Sequence, residues 1–324
     1  MKRQSEDKRV DGVFFDFHTH LPYWIRDPAR ACERLLLEEI SAGSTGAIVI
    51  GVDASVELVT SKINAKTILD AAMEDFDLLA FQSISYLNRM VVEPEKFLDE
   101  FVGDFYRHRR GLEDLVKCAE IEPEFFHLVV SNVPGEERRI AELVRSDERI
   151  LGVKIFPTFH MTRPDSKRLD ELYKTVQSVG GLIVVHTGCD PGPWELTKLC
   201  MDANPKYVIG PAKKYPDLTF VIAHLGSYSA LKPGIFFNEA LKALELENVY
   251  SDTSAADPFF VSLAVKEGFE DKLMFGTDFP YVMGYGVSDV LREFLSLNLE
   301  GKIRSKILMQ NALKLLSKLP RGRV

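Results

Sequence analysis

Apolar residues run along this chain in short unbroken blocks, separated by longer stretches with helical spacing. Blocks such as Gly46–Gly51, Leu151–Phe156 and Leu182–Val185 lack alternation, as expected of strands covered on both faces in a parallel sheet. Eight blocks are predicted as strands: Val13–Phe17, Gly46–Gly51, His127–Val130, Leu151–Phe156, Leu182–Val185, Leu218–Ala223, Val249–Asp252 and Lys272–Phe275. Between most of them apolar positions recur every three or four residues, which predicts helices such as Ala31–Ala42, Gly135–Arg145 and Leu169–Val179. The first carries its own start and stop signals, with Asp27 as cap, Pro28 at the first helical position and Gly43 at the end. This alternation predicts one α/β domain over residues 1–324, a closed parallel barrel. Residues 53–120 break the alternation and are predicted as a helical insertion after the second strand, too long for an ordinary connection. Such an insertion either caps a pocket or contacts a second copy of the chain.

Barrels of this kind carry their active sites at the carboxyl ends of the strands, so residues there deserve chemical scrutiny. The first strand runs into Phe-Phe-Asp-Phe-His-Thr-His (14–20), and two-residue alternation places Phe14, Asp16, His18 and His20 on one face. Two imidazoles side by side make a ready pair of metal ligands, which Asp16 is expected to orient from one step deeper. His186 ends the fifth strand, His224 the sixth and Asp278 the eighth, and Lys154 lies near the end of the fourth. Closing the barrel brings these positions into one mouth. Of the seven histidines, His108 and His127 are read as non-ligands. His160, in the loop after the fourth strand, is read as a substrate contact. Trp24, Trp194 and Tyr281, together with Phe156 and Tyr228, are expected to wall the pocket, and Arg163 to pair with a substrate carboxylate.

Composition narrows the class of function. A net charge of −8 without a basic stripe disfavours a nucleic-acid partner. The polar start of the chain and the absence of any long apolar run predict a cytoplasmic protein that binds a small molecule and no membrane, with a homodimer left open. The four cysteines show no CxxC pairing and are expected to be free thiols.

The ordered set His-Thr-His (18–20), Gly-Val-Lys-Ile-Phe-Pro (152–157), Val-Val-His-Thr-Gly (184–188), Ile-Ala-His-Leu-Gly (222–226) and Phe-Gly-Thr-Asp-Phe-Pro (275–280) resembles the amidohydrolase superfamily. More narrowly it resembles the branch that contains aminocarboxymuconate-semialdehyde decarboxylase. The likeness spans Val13 to about Leu316, with no match seen over 53–120. It implies a (β/α)8 TIM barrel, one divalent metal ion and chemistry on water. His18, His20, His186 and Asp278 would then surround a zinc-like ion, with Asp278 also carrying the proton of the water and His224 left as general acid or base. Lys154 would meet a substrate anion. In the other arrangement it is carboxylated and bridges to a second ion held by His186 and His224. The expected reaction is hydrolysis of an amide, ester or lactone. The alternative is non-oxidative decarboxylation or hydration of an aromatic or unsaturated acid at the same site. A non-catalytic scaffold has no use for such a ligand set, and a metal-dependent nuclease would want a basic face.

Overall fold

A computed structural model describes residues 13–53, 56–75, 85–100, 109–282 and 284–320. Eight strands pair in parallel in sequence order: β1 (Phe14–Thr19), β2 (Ser44–Ile50), β3 (Phe126–Ser131), β4 (Ile150–Ile155), β5 (Leu182–Val185), β6 (Thr219–Ile222), β7 (Val249–Asp252) and β8 (Leu273–Met274). The ends β5 and β7 coincide with the bounds expected from sequence, and the others shift by a few residues. The segment after β8 returns to β1 and closes the ring. Phe17 N–H donates to the Phe275 carbonyl at 2.9 Å, Asp278 N–H to the His18 carbonyl at 2.7 Å, and His20 N–H to the Phe279 carbonyl at 2.7 Å.

Helices follow the strands: α1 (Pro28–Ala42) after β1, then α2 (Val56–Lys62), α3 (Ala65–Ala72), α4 (Ser85–Val92) and α5 (Leu112–Ile121) after β2, and α6 (Glu137–Ser146) after β3. α7 (Asp170–Ser178), α8 (Lys206–Lys214), α9 (Phe237–Leu244), α10 (Pro258–Lys266) and α11 (Val287–Leu295) follow β4 to β8, and α12 (Asn311–Lys318) comes last. As the sequence signals predicted, Asp27 accepts the Arg30 N–H at the start of α1, and Gly43 ends it in the left-handed conformation at φ 97°. Two apolar layers result. Ile50, Val129, Leu182, Val184, Val221 and Met274 fill the barrel, while Val49, Val130, Ile183, Ile222 and Phe275 face the helices. The floor of the barrel is supplied by Ala312, Leu315, Leu316 and Leu319, on and just beyond α12.

The simple alternation expected for β1 does not hold. Phe15 and Phe17 enter the barrel, Phe14 packs in the outer layer, and the β1–β2 register shifts on both sides of Asp16. The Asp16 carboxylate takes the His18 N–H at 2.9 Å and the Thr277 N–H at 3.1 Å, so side chain replaces ladder at this bulge. Past it the alternation restarts, and His18 turns inward although Phe14 does not.

The helices after β2 lie over the carboxyl-terminal rim. Val59, Ile68 and Met90 pack with Phe156, Phe159, Trp194 and Leu231 from the loops after β4, β5 and β6. Buried Asp75, just past α3, pins this cap to both later loops. It accepts the Thr197 N–H at 2.7 Å and pairs with Lys232 at 2.5 Å. His108 lies outside the described residues.

The cysteines differ from expectation. Cys32 of α1 is joined to Cys118 of α5, and Cys189 to Cys200 in the loop after β5. The first pair is 86 residues apart in sequence and meets only because α1 packs on α5. Among the described residues no helix is long and apolar enough to cross a membrane.

Candidate metal centre

The bulge in β1 and the tight turn after β8 bring three donors together. Gly276 permits the approach: a Cβ there would stand 2.9 Å from His18 Cβ. Two residues on, Asp278 sits in the left-handed region at φ 54°. Its Oδ1 lies 3.2 Å from His20 Nε2 and 3.4 Å from His18 Nε2. Each imidazole uses its other nitrogen elsewhere. His20 Nδ1 donates to the Ile50 carbonyl at 2.7 Å, and His18 Nδ1 donates to Asp252 Oδ2 at 2.9 Å. Both Nε2 atoms therefore keep a lone pair, and they converge on one carboxylate oxygen. The donor atoms of His18, His20 and Asp278 lie within 4.8 Å of one another, and all three residues are buried. Two imidazoles and a carboxylate, desolvated and with the outward ring nitrogens already committed, fit a divalent ion. Burial pushes the Asp278 carboxyl up, but the His224, His20 and His18 rings more than offset this and hold it at about 2.

His224 follows β6 in a strained backbone, at φ 63° with Leu225 at φ 52°. Its Nδ1 donates to the Ser254 carbonyl at 2.8 Å, and its Nε2 lies 3.2 Å from His186 Nδ1. His186 is turned away from the first cluster. Its second nitrogen faces Asp190 Oδ2 at 3.1 Å, and Thr158 holds that carboxyl from the far side. The expected set of His18, His20, His186 and Asp278 is thus not a single cluster. The second group of close donors is His18, His224 and Asp252; His186 Nδ1 faces His224, and its buried Nε2 lies near Asp190 without a hydrogen-bond partner.

Lys154 reaches the centre from β4, fully buried, with Nζ 3.3 Å from His18 Nε2 and 5.1 Å from the Phe156 ring. Burial lowers its ammonium to about 8 against the pull of Asp252, Asp278 and Asp190.

Aromatic rings frame the mouth. Tyr281 stands edge-on to His20 at 4.9 Å and stacks on Tyr23 at 6.0 Å, while Tyr228 lies 5.2 Å from His224 and Phe156 stacks on His186 at 6.1 Å. His160 is buried beside Phe156. Its Nε2 donates to the Asp53 carbonyl at 3.0 Å, its Nδ1 has no partner, and burial pulls it down to about 4. Trp24 touches Phe279 at the rim but is 54% exposed. Trp194 is buried under the cap, 4.8 Å from Phe159, and Arg163 is at the surface, paired with Asp165 and lying over Tyr207 at 3.9 Å. Neither takes the place expected of it. A nearby carboxylate answers Arg163 first, and the cap claims the indole. Sequence reading passed over Asp252 and Asp190. Asp252 had a usable signal, since it ends a predicted strand as His186 and His224 do.

The amidohydrolase family profile matches residues 98–318, more than half the chain. The chain belongs to the amidohydrolase family. Solved structures similar to this amidohydrolase share its barrel. An uncharacterized TIM-barrel protein from Bordetella bronchiseptica superposes with a TM-score of 0.64 at 18% identity, covering 96% of this chain and 100% of that one. A 5-carboxyvanillate decarboxylase from Novosphingobium aromaticivorans, complexed with manganese and 4-hydroxy-3-methoxy-5-nitrobenzoic acid, gives 0.58 at 14% identity, covering 94% and 96%. A probable 2-pyrone-4,6-dicarboxylic acid hydrolase from Acinetobacter baumannii gives 0.55 at 13% identity, covering 94% and 99%. Among curated proteins none matches the sequence significantly. The chain is an enzyme of the amidohydrolase superfamily, whose members use a divalent ion.

Proposed function

We propose that this enzyme binds a planar, conjugated carboxylic acid at a centre made by His18, His20 and Asp278, and removes a carboxyl group from it without an oxidant. The carrying observation is Lys154: a fully buried ammonium beside the three donors, with no ion-pair partner of its own among the described residues. A buried cation needs an anion, and the open side of the centre is where a substrate carboxylate would sit. Tyr281, Tyr228 and Phe156 supply faces and edges for a flat ring. Two of the similar structures support this class, being described as acting on ring carboxylates. A divalent ion, manganese or zinc, would polarise a substrate oxygen and acidify bound water.

The chain's own residues do the rest. Lys154 orients the acid. Asp278, held as a carboxylate, would take a proton from water and deliver it to the ring carbon as the carbon–carbon bond breaks, so that the substrate carboxylate leaves as carbon dioxide and hydroxide is left to solvent. His224 stands 5.0 Å from the His18 ring, with its Nε2 facing His186 Nδ1 at 3.2 Å. One observation favours a second reading. An ionised Asp278 between imidazoles equally suits removal of a proton from water, which would make the enzyme a hydrolase of a carboxylated lactone.

The test is incubation of the manganese-loaded enzyme in D2O with a panel of hydroxylated benzoic acids and with carboxylated pyrones. Carbon dioxide with deuterium at the vacated carbon supports the first reading. Ring opening without carbon dioxide supports the second. Turnover of neither class sinks both.

A further inference from the structure

We propose that Asp252, at the end of β7, is a positioning residue that fixes which nitrogen His18 and His224 present to the centre; this rests on the metal reading above. Its Oδ2 takes the proton of His18 Nδ1 at 2.9 Å. Its Oδ1 takes the His224 N–H at 3.1 Å, the Ser254 N–H at 3.2 Å and the Ser254 hydroxyl at 2.5 Å. Backbone N–H groups can only donate, so this carboxylate is surrounded by donors and has none to give back. His18 must then carry its hydrogen on Nδ1 and leave Nε2 as a lone pair.

The same carboxylate reaches His224 by two routes. The bond to the His224 N–H holds the backbone in its left-handed conformation, which a residue with a side chain adopts at a cost. The Ser254 hydroxyl, having donated to Asp252, turns its lone pairs to His224 Nδ1 at 2.9 Å and His18 Nδ1 at 3.0 Å. With the Ser254 carbonyl also accepting at 2.8 Å, His224 carries its hydrogen on Nδ1 as well. Two rings from different strands, 5.0 Å apart, are set in the same tautomer by one buried residue on β7.

Two measurements test this, neither requiring a substrate. The first is the long-range ¹H–¹⁵N spectrum of the metal-free wild type at pH 8, with ¹⁵N-labelled histidine, which reads the tautomer of each ring. His18 and His224 are expected protonated on Nδ1. A His18 protonated on Nε2 overturns the proposal, whatever becomes of any variant. The second is competition of wild type, Asp252→Asn and Asp252→Glu with a chelator for manganese(II). Asp252→Asn is expected to weaken manganese binding by about 10–100-fold, with His18 moving toward the Nε2–H form and Asp252→Glu recovering part of the loss. Unchanged affinity in Asp252→Asn overturns the proposal. A wild type that binds no manganese or zinc would instead sink the metal centre itself, while the tautomer spectrum still reports on Asp252.

Discussion

Lys154 Nζ stands 3.3 Å from His18 Nε2, so a cation and a metal-ligating nitrogen face the same small space. If Lys154 serves a substrate anion, its loss removes one charged hydrogen bond and leaves the ion in place. Lys154→Met is expected to keep about one ion per chain, as in the wild type, and to weaken binding of an aromatic carboxylate by roughly 2 kcal/mol, about thirtyfold. Metal analysis with calorimetric titration checks both numbers. A fall from two ions to one would point to a carboxylated, bridging lysine.

His18 and His20 each spend one nitrogen on a fixed acceptor and offer the other to the centre. His18→Ala and His20→Ala are expected to lose bound metal together with activity, and chelation of the wild type should do the same, reversed by manganese or zinc. Full metal content in either variant would count against the centre as drawn.

Asp278 has a different signature. Its carboxylate is held low by three rings, and Asn keeps the shape while losing the ability to take a proton. Asp278→Asn is expected to retain most of the metal and to lower kcat by about 10²–10⁴-fold, measured at saturating substrate. Near wild-type turnover would remove its proton role.

A stability prediction comes from α1. Glu39 is fully buried against the Asp16 carboxyl, and burial first, then that neighbour, pushes it well above the usual carboxylate range. Asp16 itself is raised by burial to about 7. A raised folded value means that the native state holds the proton longer than the unfolded chain does, so stability falls as pH climbs past the ordinary glutamate value. Glu39→Gln keeps the shape without the ionisation. Its melting temperature is expected to match the wild type near pH 4.5 and exceed it by roughly 2–4 °C at pH 8. Calorimetry at both values decides; a gain that shrinks as pH rises would refute it.

The barrel and the mouth were legible because strand ends are written locally: an apolar run, then His-Thr, His-Leu-Gly or Thr-Asp. Leu182–Val185 and Val249–Asp252 were found to the residue. What escaped depends on contacts that sequence spacing does not carry. The bulge at Asp16 needs Thr277 from the far end of the chain, so Phe14 was assigned the wrong face. Cys32 and Cys118 meet only through helix packing, and Arg163 was expected at the pocket because its partner Asp165 was not weighed. His186 was legible as a strand end, but its approach to Asp190 depends on the following loop, which periodicity does not describe.

The plug beneath the barrel has a consequence for truncation. Leu315, Leu316 and Leu319 follow all eight strands in the chain, so a truncation before Leu315 would leave the wall of the barrel without its seal and expose the Phe15 and Phe17 rings.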